Sequence, residues 1–186
     1  ELLDGILTNL KPDAIFHHDD WGSEKSTFMS PDMFAEFFLE PYKQIYGFCK
    51  SKGVEIIIHH ADSYAATLVP YMIEMGIDVW QGCMKSNDLP ELIKKYGGKI
   101  TFMGGIDNKM VDYPGWTREA STKAVHETLD VLDSPKYFIP CITQGGPGSV
   151  YPGVYEVLTE EIDKYNEERF GIKREEIDRL PLQLIF

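Results

Sequence analysis

Cysteine is scarce in this sequence: Cys49, Cys83 and Cys141 are an odd number, and none stands in a CxxC pair. That argues against a disulfide framework and a closed structural zinc knuckle, so any metal role would have to mix cysteine with histidine or carboxylate. Long apolar runs are missing too. No stretch reaches the roughly 18 to 20 residues of a membrane-spanning helix, and Glu1-Leu2-Leu3-Asp4 lacks the basic and apolar segments of a secretory signal. A soluble cytoplasmic protein is the resulting expectation. Basic clusters are absent as well: 18 Lys and Arg are scattered against 30 Asp and Glu, and a formal charge of −12 would repel nucleic acid and anionic membranes. There is no internal repeat, low-complexity tract or linker, which predicts a single domain. Nor does the chain start with Met, from which a longer natural chain is expected.

What is present is a repeated grammar. With 43% apolar residues the chain can bury a core. It does so in five units, each a short β-branched or aromatic run, a polar turn and an amphipathic helix. Strands are predicted over 13–19, 54–60, 77–81, 99–106 and 137–142. The first helix should open at Ser30-Pro31, carry Phe34, Phe37, Phe38, Ile45 and Phe48 on one side, kink at Pro41 and stop at Gly53. Helices are predicted next over 64–75, over 89–96 and after Thr117, the last of these with the stripe Val125, Thr128, Leu129, Leu132. Val154, Leu158, Ile162 and Tyr165 define the inner face of the final one, and the apolar end after Leu180 should pack back onto the body.

Alternating strands and helices imply a parallel sheet, and neither a GxGxxG turn nor a P-loop marks it as a nucleotide-binding one. Five units are too few to close an eight-stranded barrel, which takes about 250 residues. The predicted fold class is therefore α/β, a (β/α)8 TIM-type barrel of which residues 1–186 form the C-terminal part, with about three units missing. The first strand should then present an unpaired edge, the interior should be open on one side, and the segment alone should associate into homo-oligomers.

Such barrels bind ligands at the carboxyl ends of their strands, and the unusual residues fall there. His17, His18, Asp19 and Asp20 follow the first strand, His59, His60 and Asp62 the second, Gln81 and Cys83 the third. Asp107 and Asn108 follow the fourth, Cys141 and Gln144 the fifth. Alternation puts His60 and Asp62 on one face and His59 on the other. A borderline-soft ion accepts imidazole, carboxylate and thiolate together, so His60, Asp62 and Cys141 are candidate zinc ligands. Two readings stand for each. The histidines could equally bind loop backbone, Asp62 could cap the next helix, and Cys141 could be a small buried apolar residue. Asp20 and Asp107 are candidate catalytic carboxylates, with helix capping the alternative for Asp107. His18, Trp21, Gln81 and Gln144 are candidate substrate contacts, Trp21 as a pocket wall or as core. Gly145-Gly146-Pro147-Gly148 could cradle an anion or simply turn the chain.

Several of these segments together resemble the uroporphyrinogen decarboxylase superfamily. They are Asp19-Asp20-Trp21-Gly22, Met29-Ser30-Pro31 with Glu40-Pro41-Tyr42-Lys43, His59-His60-Ala61-Asp62-Ser63, Ile73 to Asp78, and Phe102 to Asp107. The resemblance spans about residues 10 to 170 and implies the barrel fold. Its methyltransferase branch is similar through a His-x-Cys zinc pair and a later cysteine. His60 matches that histidine, Asp62 stands where the first cysteine would be, and Cys141 lies near the second. In the decarboxylase branch a histidine lies in the Gly-rich turn, where this chain has Gln144 to Gly148 instead. The resemblance thus implies metal-assisted methyl transfer between a small-molecule methyl donor and cobalamin carried by a separate corrinoid protein. The alternatives are decarboxylation of a tetrapyrrole and a ligand-binding barrel without chemistry.

Overall fold

The structure, a computed structural model, describes residues 1–132, 134–145 and 148–174. Five strands make one sheet: β1 (Ala14–His18), β2 (Ile56–His60), β3 (Val79–Cys83), β4 (Thr101–Ile106) and β5 (Phe138–Ile142). They pair in parallel in the order β1-β2-β3-β4-β5. A doubly wound sheet reverses its strand order in the middle, whereas sequential order with helical crossovers belongs to a barrel. The expected partial TIM-type barrel is what forms. The expected packing of the tail after Leu180 lies outside the described residues, as do Gly146 and Pro147 of the Gly-rich turn.

Eight α-helical segments are found among the described residues. One of them, α1 (Leu2–Leu10), lies ahead of the five expected units: Leu7 is its one buried residue, and Leu2 and Leu10 are exposed. The helix opening at Ser30 starts as expected, with the Ser30 hydroxyl accepting from Met33 N–H and Pro31 in the first turn. It runs as α2 (Pro31–Phe34), a π-helical turn (Ala35–Leu39) and α3 (Glu40–Ser51). The π turn stands immediately before Pro41, whose ring cannot supply an N–H to the preceding turn. Its wider turn rotates the following face, so the predicted stripe is corrected: Phe37, Ile45 and Phe48 are exposed, and Phe34, Tyr42, Tyr46 and Cys49 are buried. Both tyrosines consequently point at the sheet.

The remaining helices are α4 (Val69–Met75), α5 (Leu89–Tyr96), α6 (Asn108–Val111), α7 (Arg118–Leu129) and α8 (Val154–Phe170). α4 ends where the sequence says, at Gly76 with φ 85°, a left-handed cap that suits glycine. None of the described helices is long and apolar enough to cross a membrane.

Register sorts the sheet into two layers. His17, His59, Trp80, Phe102 and Phe138 lie side by side across all five strands, and His59, Trp80 and Phe102 are wholly buried. The neighbouring row is His18, His60, Gln81, Met103 and Ile139. That second face carries Phe16 (58% exposed), Ile56 (43%) and Ile139 (44%). In β2 itself the two faces differ, Ile57 being buried and Ile56 exposed. Helices cover one face; the other, which points toward the barrel axis, is open.

Candidate functional site

Adjacent residues of β2 meet two different worlds. On the helix side, His59 Nε2 lies 3.0 Å from the Asp19 carbonyl oxygen, which can only accept, so Nε2 bears the proton. His59 Nδ1 is then the acceptor and takes the Tyr46 hydroxyl proton at 2.7 Å. The Tyr46 oxygen in turn accepts from His17 Nδ1 at 2.7 Å. Every proton in this chain is assigned, and no second one fits on His59. Burial accordingly pushes its pKa down to about 3, opposed by the Asp19 carbonyl. Trp21 stacks on His59 at 3.9 Å and donates to the Tyr42 hydroxyl, which donates to the Asp19 carboxylate. Trp21 was offered as a pocket wall; at 4% exposure, packed against Phe34 and Tyr42, it is a core residue.

On the axis side, Gln81 Nε2 donates to the Thr143 carbonyl at 3.1 Å, which leaves Gln81 Oε1 facing His60 Nδ1. An amide oxygen only accepts, so His60 carries its proton on Nδ1 and a lone pair on Nε2. His60 is 8% exposed. Beside it His18 packs edge to face with ring centres 4.1 Å apart. Asp20 Oδ2 lies 3.7 Å from His18 Nε2, and its Oδ1 accepts the Asp62 backbone N–H at 2.7 Å. The ligand atoms of His18, Asp20 and His60 all fall within 4.8 Å of one another.

The predicted zinc set does not form such a group among the described residues. Cys141, three strands from β2, interacts with the Gln81 side chain, which stands against His60 Nδ1. Burial holds its thiol up at about 12, opposed by the Gln81 side chain. Asp62 lies beyond the end of β2, where strand alternation no longer fixes its direction. Burial raises its carboxyl above the usual range, and Oδ1 is buried without a hydrogen-bond partner. The donor chemistry of His60 fits a metal ion, and the ligand atoms grouped with it among the described residues are those of His18 and Asp20.

The other candidates disperse. Asp107 caps α6, its carboxylate accepting from Lys109 N–H at 2.9 Å. The backbone of Gln144 is held at both its N–H and its carbonyl by the Asn108 side chain, while its own side chain is exposed. Gln81 stays at the site, as an orienting group. Two contributors escaped the sequence reading. Tyr46 was hidden by the shifted helical face. Asn87 clamps the loop after β2, its Oδ1 accepting from Ala65 and Ala66 N–H and its Nδ2 donating to the Ser63 carbonyl. A groove of about 970 Å³ between α5 and α7 is lined by none of the candidates.

A family model described as uroporphyrinogen decarboxylase (URO-D) matches residues 10–165. The chain belongs to the URO-D family. No curated protein matches it. Among solved structures it is similar to a methyltransferase from Methanosarcina mazei, with a TM-score of 0.60 and 16% identity over 86% of this chain. The chain spans 44% of that methyltransferase's length. At that identity the likeness is one of fold alone; the family rests on the matched model, and His60 stands at the carboxyl end of β2.

Proposed function

We propose that the barrel containing this chain transfers a methyl group between a small-molecule donor or acceptor and a corrinoid carried by a separate protein. The observation that carries this reading is His60, a nearly buried imidazole whose lone pair is fixed on the axis side of a URO-D-family barrel. An ion held there supplies Lewis acidity, polarising a donor or lowering the pKa of an acceptor. A methyl moves without its bonding pair, so the site must hold donor and acceptor in line and keep the acceptor deprotonated. Gln81 fixes the direction of the His60 lone pair, and Thr143 fixes Gln81. Asp20 holds the first turn after β2 by accepting the Asp62 N–H.

Decarboxylation of a polycarboxylate tetrapyrrole is less well served by this part of the barrel. Its rim presents Asp20, Asp62 and Glu24, and the Lys109 ammonium is engaged by Glu24 at 2.6 Å. The test uses full-length protein, free methylcobalamin and a thiol acceptor, followed by the visible spectrum of the corrinoid. Demethylation is expected, with a loss of at least about 100-fold in His60→Ala. Porphyrinogen turnover with no corrinoid reaction would replace this reading by the decarboxylase. Neither activity would leave a ligand-binding barrel.

A further inference from the structure

We propose that His18, Asp20 and His60 are the three protein ligands of a divalent transition-metal site, in place of the His60, Asp62 and Cys141 set that the family resemblance implies. The inference rests on the reading that this barrel uses an ion, and it moves that ion to the β1–β2 rim. Three observations meet there. First, His18 and His60 are direct register partners on adjacent parallel strands, so their rings project to the same side at one level. A tetrahedral ion about 2.1 Å from each ligand needs ligand atoms roughly 3.4 Å apart. His18 Nε2 and Asp20 Oδ2 stand at 3.7 Å, and all three ligand atoms lie within 4.8 Å, a gap that side-chain rotation closes.

Second, two of the three ligands are already held from behind. Gln81 Oε1 accepts a hydrogen bond from His60 Nδ1–H and leaves Nε2 to coordinate. The Asp62 N–H donates to Asp20 Oδ1 and leaves Oδ2 free to coordinate. Metal sites orient their first ligands in this way, and losing such a partner costs about 10- to 100-fold in affinity. Third, access differs by ligand: His60 is buried, whereas the His18 and Asp20 side chains are 64% and 42% exposed. A set of two imidazoles and one carboxylate suits zinc and neighbouring borderline ions, and three protein ligands leave a position for a reactant. With one anionic ligand the bound ion keeps net positive charge, which is what Lewis acidity requires.

The experiment reads binding and not turnover. Full-length protein, stripped by a chelator and shown by circular dichroism to be folded, is titrated with Zn²⁺ by calorimetry and with Co²⁺ by its visible d–d absorption. Stoichiometric binding with a tetrahedral Co²⁺ spectrum is expected. Affinity should fall at least about 100-fold in His18→Ala and His60→Ala, and about 10- to 100-fold in Gln81→Leu. Cys141→Ser and the surface control His126→Ala should change it less than about threefold. Loss on Cys141→Ser with none on His18→Ala would return the ion to the family-like set and overturn the proposal. So would folded protein that binds neither ion. Binding at these residues without methyl transfer would uphold this site and defeat the functional reading. Methyl transfer by folded protein that binds neither ion would do the reverse.

Discussion

His59 and His60 are neighbours in sequence and opposites in physics. The helix-side layer that holds His59 is a closed hydrogen-bonded network under Trp21, with every donor matched and the imidazole locked neutral. The axis-side layer that holds His60 is open, oriented by one amide, and has a ligand atom to spare. The difference teaches that a histidine pair at a strand end divides its labour by strand parity. One ring serves stability and the other is available for chemistry.

The strongest way to break this contrast is to remove the lid of the closed layer. Trp21→Ala should cost about 3 to 5 kcal/mol in urea denaturation, because it empties a packed site against His59 and Phe34. A cost below about 1 kcal/mol would mean that Trp21 is no core residue.

A second measurement sharpens it through pH. The folded His59 pKa lies near 3, against 6.5 for the unfolded ring, so below pH 6.5 the unfolded state binds a proton that the folded state does not. Its stabilising contribution is present above that pH and is lost on acidification, by roughly 3 kcal/mol at about pH 4. His59→Gln should be less stable at neutral pH yet show a flatter fall between neutral and acid pH. An unchanged slope would show that His59 is not held neutral.

The smallest effect belongs to the open layer. In the 186-residue chain, Phe16→Ser together with Ile139→Ser should alter stability by no more than about 0.5 kcal/mol per site, since both side chains are exposed. Size-exclusion chromatography should nevertheless show a larger monomer fraction, because an exposed apolar sheet face and an edge strand invite self-association. If the pair destabilised the chain as core substitutions do, the axis face would be covered.

Much of the fold was legible because its signals are local. Ser30-Pro31, Gly76 and Thr117 set helix ends through caps that need only their own neighbours, and the β-branched runs mark strands of a few residues each. Helix α1 was missed although Leu3, Ile6, Leu7 and Leu10 stand at helical spacing, because the segment precedes the first strand and falls outside the repeated strand-then-helix pattern. The face of α3 was misread because a π turn before Pro41 adds rotation that a fixed helical period does not contain.

By itself, then, the sequence determined five βα units, a URO-D-type barrel and the gathering of histidines and carboxylates at strand ends, because periodicity and end signals are properties of short stretches. It also determined that His59 and His60 face opposite ways, since alternation is a local rule of strands. Which residues accompany His60 was decided only by the tertiary structure. Register, which depends on long-range pairing, set His18 beside His60 and kept Cys141 three strands away. The Gln81 amide, clamped by the Thr143 carbonyl 62 residues further on, chose which nitrogen of His60 carries the lone pair.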